Sequence, residues 1–191
     1  MAGEGLARPM KDLPLAGLVE QFLADAARSC TAETVQWYRI FLSDFADRYP
    51  KLKPAEIAPR HVRAWVNGEH PRPWKQTTHR SAITILKRLL NWAVANKLLA
   101  ENPVKDLERP AATVRVRVLT REERATILAW YPEGDVFRDF LIALMESGIR
   151  PGEAMKVTAE DVDFELGVWV LRGKTTARTG KDRVIYMTPP L

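Results

Sequence analysis

The chain has 191 residues, 46% apolar and 28% charged, with a formal net charge of +5 and an isoelectric point near 9.5. That length allows one large domain or two small ones, with the composition of an ordinary soluble protein. No apolar run reaches the roughly 18 residues of a membrane helix, because Lys87, Arg88, Asn91 and Lys97 interrupt the longest candidate; the opening MAGEGLARPMKD lacks the apolar segment of a secretory signal and reads as a flexible leader over 1–11.

Four helical patterns follow the leader. In LPLAGLVEQFLADAARS, residues Leu15, Leu18, Val19, Phe22, Leu23 and Ala26 recur on one helical face. Thr31 is placed to cap a second helix that buries Val35, Tyr38, Phe41, Leu42 and Phe45 and stops at Pro50. A short third helix begins at Pro59 and ends by Gly68, and PRPW makes a turn. The fourth spans about Lys75 to Asn96, burying Ala82, Ile83, Leu86, Leu89, Leu90 and Ala93. Asn102 before Pro103 closes the set, since a residue preceding proline is pushed out of helical geometry. The spacing predicts a helical domain over 12–107 and a linker over 108–118 with alternating arginine and valine.

The second half changes character. Thr120 with Glu123 forms a capping-box pattern that opens a helix ending before Pro132. A further helix, Asp135 to Ser147, is expected to pack Phe137, Phe140, Leu141, Leu144 and Met145. VWVLR and RVIYM then flank a polar, glycine-containing stretch and predict a β-hairpin. There is no internal repeat. Cys30 is the single cysteine, which excludes an intrachain disulfide and fits a buried, inert thiol in a reducing cytosol.

The charge is distributed unevenly. Residues 1–110 hold 17 basic and 12 acidic side chains, whereas 111–191 hold 12 of each. A basic surface of this kind attracts polyanions, nucleic acid first; a solvated charged face without a partner is the alternative. Arg60, Arg63, Arg72, Lys75, Arg80, Lys87 and Arg88 cluster along the third helix, the PRPW turn and the fourth helix, with only Glu69 against them. Thr77, Arg80, Thr84 and Lys87 recur at helical spacing as a stripe suited to a DNA groove, or simply to water.

Two further places can carry chemistry. In MESGIRPGEAMKVTAEDVDF, Gly148 suits the left-handed position that ends a helix, and Arg150 follows in the turn with Glu153 three residues on. A guanidinium aimed by the backbone and braced by a carboxylate suits a phosphate. The same arginine also suits the carbonyls at the end of the preceding helix. In the hairpin, Arg172, Lys174, Arg178, Lys181 and Arg183 face only Asp182. Such a tip can enter a groove, can place a lysine to protonate a leaving oxygen, or is an ordinary charged tip.

Together LTREE, then ESGIRPGEAMKVTAEDVDFE, then GKTTARTGKDRVIYMTPPL resemble the first part of the catalytic domain of the tyrosine recombinases, the phage integrase family. The helical segment before them, with NWAVANKLLAENPV, resembles that family's SAM-like core-binding domain. The resemblance covers about residues 12 to 191. It implies a mainly α chain: a four-helix SAM-like core-binding domain over 12–107, then an incomplete α+β catalytic domain with a β-hairpin over 119–191. It implies double-stranded DNA as partner, a cytoplasmic setting, site-specific cutting and rejoining through a 3′-phosphotyrosyl link, and neither metal nor other cofactor. Arg150 then matches the first catalytic arginine, Glu153 its supporting acid, and Lys174 the hairpin lysine, with Lys181 second. The DNA-contacting set is Arg60, Arg63, Lys75, Thr77, Arg80, Thr84, Lys87, Arg88, Arg172 and Arg178.

The family pattern is not met throughout. The histidines His61, His70 and His79 are followed three residues later by Ala64, Pro73 and Ala82, so no H-x-x-R occurs. Tyr38, Tyr49, Tyr131 and Tyr186 do not match the nucleophile. The expectation is therefore an N-terminal portion of a recombinase that does not exchange strands alone and is monomeric, where full-length family members assemble as tetramers on paired sites. A DNA-binding protein of integrase descent is the alternative. A helical scaffold without nucleic acid fits poorly with the charge asymmetry.

Overall fold

A computed structural model describes residues 13–112, 116–171 and 180–187. The chain divides into two compact units, Met1–Arg115 and Val116–Leu191. The leader over 1–11, residues 113–115 of the expected linker and most of the hairpin loop lie outside the described residues.

The first unit is built from α1 (Leu15–Ala26), α2 (Ala32–Arg48), α3 (Pro59–Val66) and α4 (Gln76–Ala95). All six apolar positions expected on α1 are buried, at about 1.5–3 kcal/mol for each large side chain removed from water. The Thr31 hydroxyl accepts from the Thr34 N–H at 3.4 Å, capping α2. Of the residues expected inside α2, Val35 is only partly buried while the other four are sealed. Two indoles reach into polar partners: Trp65 Nε1 donates to Asp44 at 2.5 Å and Trp92 Nε1 donates to Asp25 at 2.8 Å. Each lets a large apolar ring pack inward with its N–H satisfied. Cys30, expected to be sealed, is half-buried, because it sits in the short connection between α1 and α2 rather than on an inward helical face.

After α4 the chain turns at Lys97, in the left-handed region at φ 59°, and folds back along the helix. Asn102 is buried; its side chain donates to Asn91 Oδ1 at 2.6 Å and accepts from the Val104 N–H at 3.0 Å. Val104 and Leu107 then join the core. The helical pattern thus ends in a strap over 102–110 that belongs to the same unit.

The second unit holds α5 (Arg121–Ala129), α6 (Val136–Ser147), the single turn α7 (Pro151–Ala154) and a three-stranded antiparallel sheet. Its strands are β1 (Val162–Asp163), β2 (Val168–Leu171) and β3 (Arg183–Tyr186), in that order. The Thr120 hydroxyl accepts from the Glu123 N–H while Glu123 accepts from the Thr120 N–H, the reciprocal cap expected of LTREE. Helix α5 stops at Ala129, two residues short of Tyr131, and Arg138 Nη1 takes up the carbonyls of Leu128 and Tyr131 at 2.7 and 3.1 Å. In β2–β3, Trp169 pairs with Ile185 and Leu171 with Arg183. Ile149, Leu171 and Ile185 form the small interior. The apolar face of α6 departs from expectation. None of its residues is fully buried and Phe137 is 48% exposed; among the described residues the interior of this unit is a few side chains gathered at the end of the helix.

Candidate nucleic-acid interface

The second unit's site is assembled around a tight reversal of the chain. Gly148 ends α6 at φ 61°, ψ 20°, left-handed as its sequence position implies. A Cβ there would meet nothing within 4 Å, so the backbone angle and not crowding favours glycine. Two residues later Arg150 precedes α7 with an extended backbone, and Pro151 presets the first helical position.

Glu153 is the centre of the arrangement. Its Oε1 accepts from Arg150 Nη1 at 2.8 Å, and its Oε2 accepts from the Arg150 backbone N–H at 3.3 Å. Oε2 also accepts from Arg183 Nη1 at 2.5 Å. Burial pushes the Glu153 carboxyl up. The Arg150 side-chain and backbone hydrogen bonds, with the charges of Arg183 and Arg150, outweigh it and hold the group below the usual carboxylate range. The carboxylate is thus charged and fully engaged, while the Arg150 side chain remains 69% exposed.

The alternative role for Arg150, closing the end of α6, falls to other residues. Arg183 Nη2 donates to Gly148 O at 3.3 Å, and the Ser147 hydroxyl donates to Ala143 O. Among the described residues the guanidinium of Arg150 bonds Glu153 and none of the α6 carbonyls. It can therefore offer its remaining N–H groups outward, to an anion such as a phosphodiester.

Arg183 is the residue that sequence reasoning passed over as one more hairpin charge. Its register opposite Leu171 places it on the sheet face that carries Ile185 and Trp169. A charge on an inward-facing strand position needs a partner, but that signal requires knowing the inner face. RVIY is apolar on both faces, so alternation alone does not say which face is inner.

The expected hairpin residues Arg172, Lys174 and Arg178 lie outside the described residues. Lys181 is exposed, two residues before Arg183. Tyr186 pairs with Val168 on the opposite sheet face from Arg183 and is 76% exposed.

In the first unit the expected DNA contacts separate into two groups. Arg60, Arg63, Lys75, Thr77 and Arg88 are exposed. Arg88 also lies over the Tyr38 ring, 5.3 Å from its centroid. Arg63 lines a cleft of about 580 Å³ with Asn67, His79 and Arg109, where Asp106 and Glu108 temper the positive charge. Arg80 and Lys87 instead bind the strap: Arg80 Nη1 donates to Pro110 O at 2.6 Å, and Lys87 Nζ to Lys105 O at 2.5 Å and Leu107 O at 3.0 Å. The Thr84 hydroxyl donates back to Arg80 O at 2.7 Å. This half of the stripe is engaged with the protein's own carbonyls, a use that helical spacing cannot distinguish from a groove-facing one.

No protein-family model matches the chain. It is 34% identical over 157 residues to the integrase of Mycobacterium phage L5, covering 76% of this chain and 36% of that protein. It is 26% identical over 152 residues to the tyrosine recombinase XerC of Chlamydia trachomatis serovar L2, covering 77% and 47%. The chain thus spans between about a third and a half of these relatives' length. Among solved structures, lambda integrase as a tetramer bound to a Holliday junction matches with a TM-score of 0.76 at 17% identity, over 97% of this chain and 55% of that one. The Tn1549 transposon integrase in complex with a circular-intermediate DNA matches with 0.74 at 16%, over 94% and 62%.

Proposed function

The chain belongs to the tyrosine recombinase, or phage integrase, family, and from that premise we propose that it is the DNA-gripping and phosphate-binding portion of a site-specific DNA recombinase. In this reading residues 12–107 are the core-binding domain, 108–118 the linker and 119–191 the beginning of the catalytic domain. The observation that carries it is the exposed Arg150 guanidinium, aimed by the Gly148 turn and braced by Glu153 at 2.8 Å. A fixed guanidinium stabilises the charge that builds on a phosphodiester under attack, at little reorganisation cost. Lys174, or Lys181 in second place, is the proposed proton donor to the leaving 5′-oxygen. Arg60, Arg63, Lys75, Thr77 and Arg88 are the proposed contacts of the first unit, with Arg172 and Arg178 from the hairpin. Arg80 and Lys87 contribute through the strap they hold or the charge they add, and Thr84, exposed on the same helix, as a neutral polar contact.

The proposed partner is double-stranded DNA in the cytoplasm. The chain alone is taken as monomeric, and the full-length recombinase as a tetramer on paired sites; lambda integrase is a tetramer when bound to a Holliday junction. No described helix is long and apolar enough to cross a membrane. Fluorescence anisotropy on a labelled duplex tests the reading. Affinity should fall steeply between 50 and 200 mM salt, with a log–log slope of roughly 0.9 per phosphate contacted, and Arg150→Ala should weaken it. Affinity indifferent both to salt and to Arg150 sinks the proposal.

A second reading, a DNA-binding protein of integrase descent that does not cut, draws on the exposed cations Arg60, Arg63, Lys75 and Arg88 of the first unit, which can neutralise phosphates without any catalytic group. A nicked suicide duplex separates the two. A covalent protein–DNA adduct from a longer form containing this chain supports the recombinase, and duplex binding without adduct supports the binder.

A further inference from the structure

We propose that Arg183 is a positioning residue for the phosphate-binding turn: it holds the Glu153 carboxylate so that Arg150 keeps its outward aim. The inference rests on the reading of Arg150 given above. It concerns a residue that does not itself face the phosphate. Arg183 side-chain exposure is 35%, half that of Arg150 at 69%, and its donors point inward.

Without Arg183 the carboxylate would be tied only to Arg150, by the side chain and by one long backbone hydrogen bond at 3.3 Å, which leaves the pair without an anchor from elsewhere in the fold. Arg183 supplies that anchor from a different part of the chain. Its Nη1 takes Glu153 Oε2 at 2.5 Å, and its Nη2 takes Gly148 O at 3.3 Å. One guanidinium thus joins the end of α6, the single turn α7 and the first residue of β3. The planar fork can span two such acceptors, whereas an ammonium concentrates its charge at one point. The remaining Glu153 oxygen is then presented to Arg150 Nη1 in one direction. Because Arg183 is paired with Leu171 across the sheet, the base of the second hairpin strand is fixed to the same brace. A shift of β3 along β2 would pull Arg183 off Glu153 and release Arg150.

The test compares the parent chain with Arg150→Ala, Arg183→Met, Arg183→Lys and the Arg150→Ala/Arg183→Met pair, each checked for folding by circular dichroism. Nitrogen-15 NMR of the arginine side chains, without DNA, reads how far rotation of the Arg150 guanidinium is hindered. Anisotropy reads affinity for a labelled duplex. Arg183→Met is expected to average the Arg150 signal and to weaken binding by about three- to tenfold, yet to add little once Arg150 is already alanine, since residues that share one hydrogen-bond network couple. Arg183→Lys keeps a charge on Glu153 but cannot span both acceptors, so it is expected to restore only part of the affinity and to leave Arg150 less hindered than in the parent. Should the methionine variant not fold, an Arg150 signal in Arg183→Lys as hindered as in the parent overturns the proposal. An Arg150 signal as hindered in Arg183→Met as in the parent, or equal losses of affinity in both backgrounds, overturns the proposal. If Arg150→Ala binds DNA as the parent does, the phosphate reading of Arg150 falls instead, and the NMR comparison still decides whether Arg183 orders Arg150.

Discussion

Glu153 and Arg183, thirty residues apart in the chain, meet at 2.5 Å between Oε2 and Nη1. The same carboxylate bonds Arg150 at 2.8 Å, so Arg183 and the exposed arginine are linked through one carboxylate that both of them touch. Ion pairs as exposed as these contribute up to about 1 kcal/mol each.

Glu153→Gln keeps the shape of the brace and removes its charge. Its affinity for a labelled duplex should drop, but less than that of Arg150→Ala, since the guanidinium stays and only its aim loosens. In a longer, cutting form Arg150→Ala should cost ~3–4 kcal/mol of transition-state stabilisation. Single-turnover cleavage of a nicked duplex would read this as a loss of several hundredfold.

The same carboxylate gives the second unit an acid sensitivity. The folded Glu153 titrates below its ordinary 4.5. Its contribution is therefore present above the unfolded value and is lost as pH falls through the folded one. Resistance to urea should decline as the solution is acidified below about pH 4.5, and Glu153→Gln should flatten that part of the curve. A carbon-13 titration of the Glu153 carboxyl with a midpoint at or above 4.5 contradicts the assignment.

His61 gives the first unit a different window. Its Nδ1 accepts from the Ala58 N–H at 3.1 Å, which requires a neutral ring at that nitrogen. Burial, then the neighbouring Arg60 charge, lowers its pKa from 6.5. The unfolded chain then binds the extra proton first, so stability is full above pH 6.5 and declines as pH falls from there toward the folded value. His61→Gln, which retains an acceptor at the third helical position, should remove the decline when urea midpoints are compared at pH 7.5 and 5.5.

The strap contacts separate two kinds of cation in the first unit. Lys87→Ala should expose 105–110 to hydrogen exchange, because it removes the donor shared by Lys105 O and Leu107 O. Lys75→Ala, at an exposed position, should leave that exchange unchanged and reduce the salt slope of DNA binding by about one contact. Equal exchange in the two variants would mean that the lysine does not hold the strap.

Gly148→Ala tests the turn itself. With open space around a Cβ, the cost comes from the left-handed backbone, about 1–2 kcal/mol. Gly148→Asn should cost less, since asparagine tolerates that region better. Urea unfolding of the two variants gives the comparison.

Much of this architecture is readable from local pattern. Helix α1 declares itself because six apolar side chains recur on one face and all six are buried. The caps at Thr31 and Thr120 depend on residues three positions away, well within what a sequence window holds. The Gly148 turn is equally local. What pattern does not reveal are distant uses of polar groups. Arg80 and Lys87 look free on a helical wheel, and their acceptors come 18 to 30 residues later. Arg183 looks like loop charge until strand register turns it inward. The short β1 is invisible for another reason: two residues carry no periodicity of their own. The apolar side of α6 shows the converse limit, since a helical stripe says which face is oily but not how much of it is covered.

The sealing of Trp65 against Asp44 gives the chain a built-in optical contrast. That indole is wholly shielded, while Trp130 is 82% exposed and Trp37 46%. Iodide should therefore extinguish the red-shifted emission of the latter pair and spare the blue-shifted emission of the former. Loosening of the helical interior would register as a gain in quenchable light before any bulk change in ellipticity.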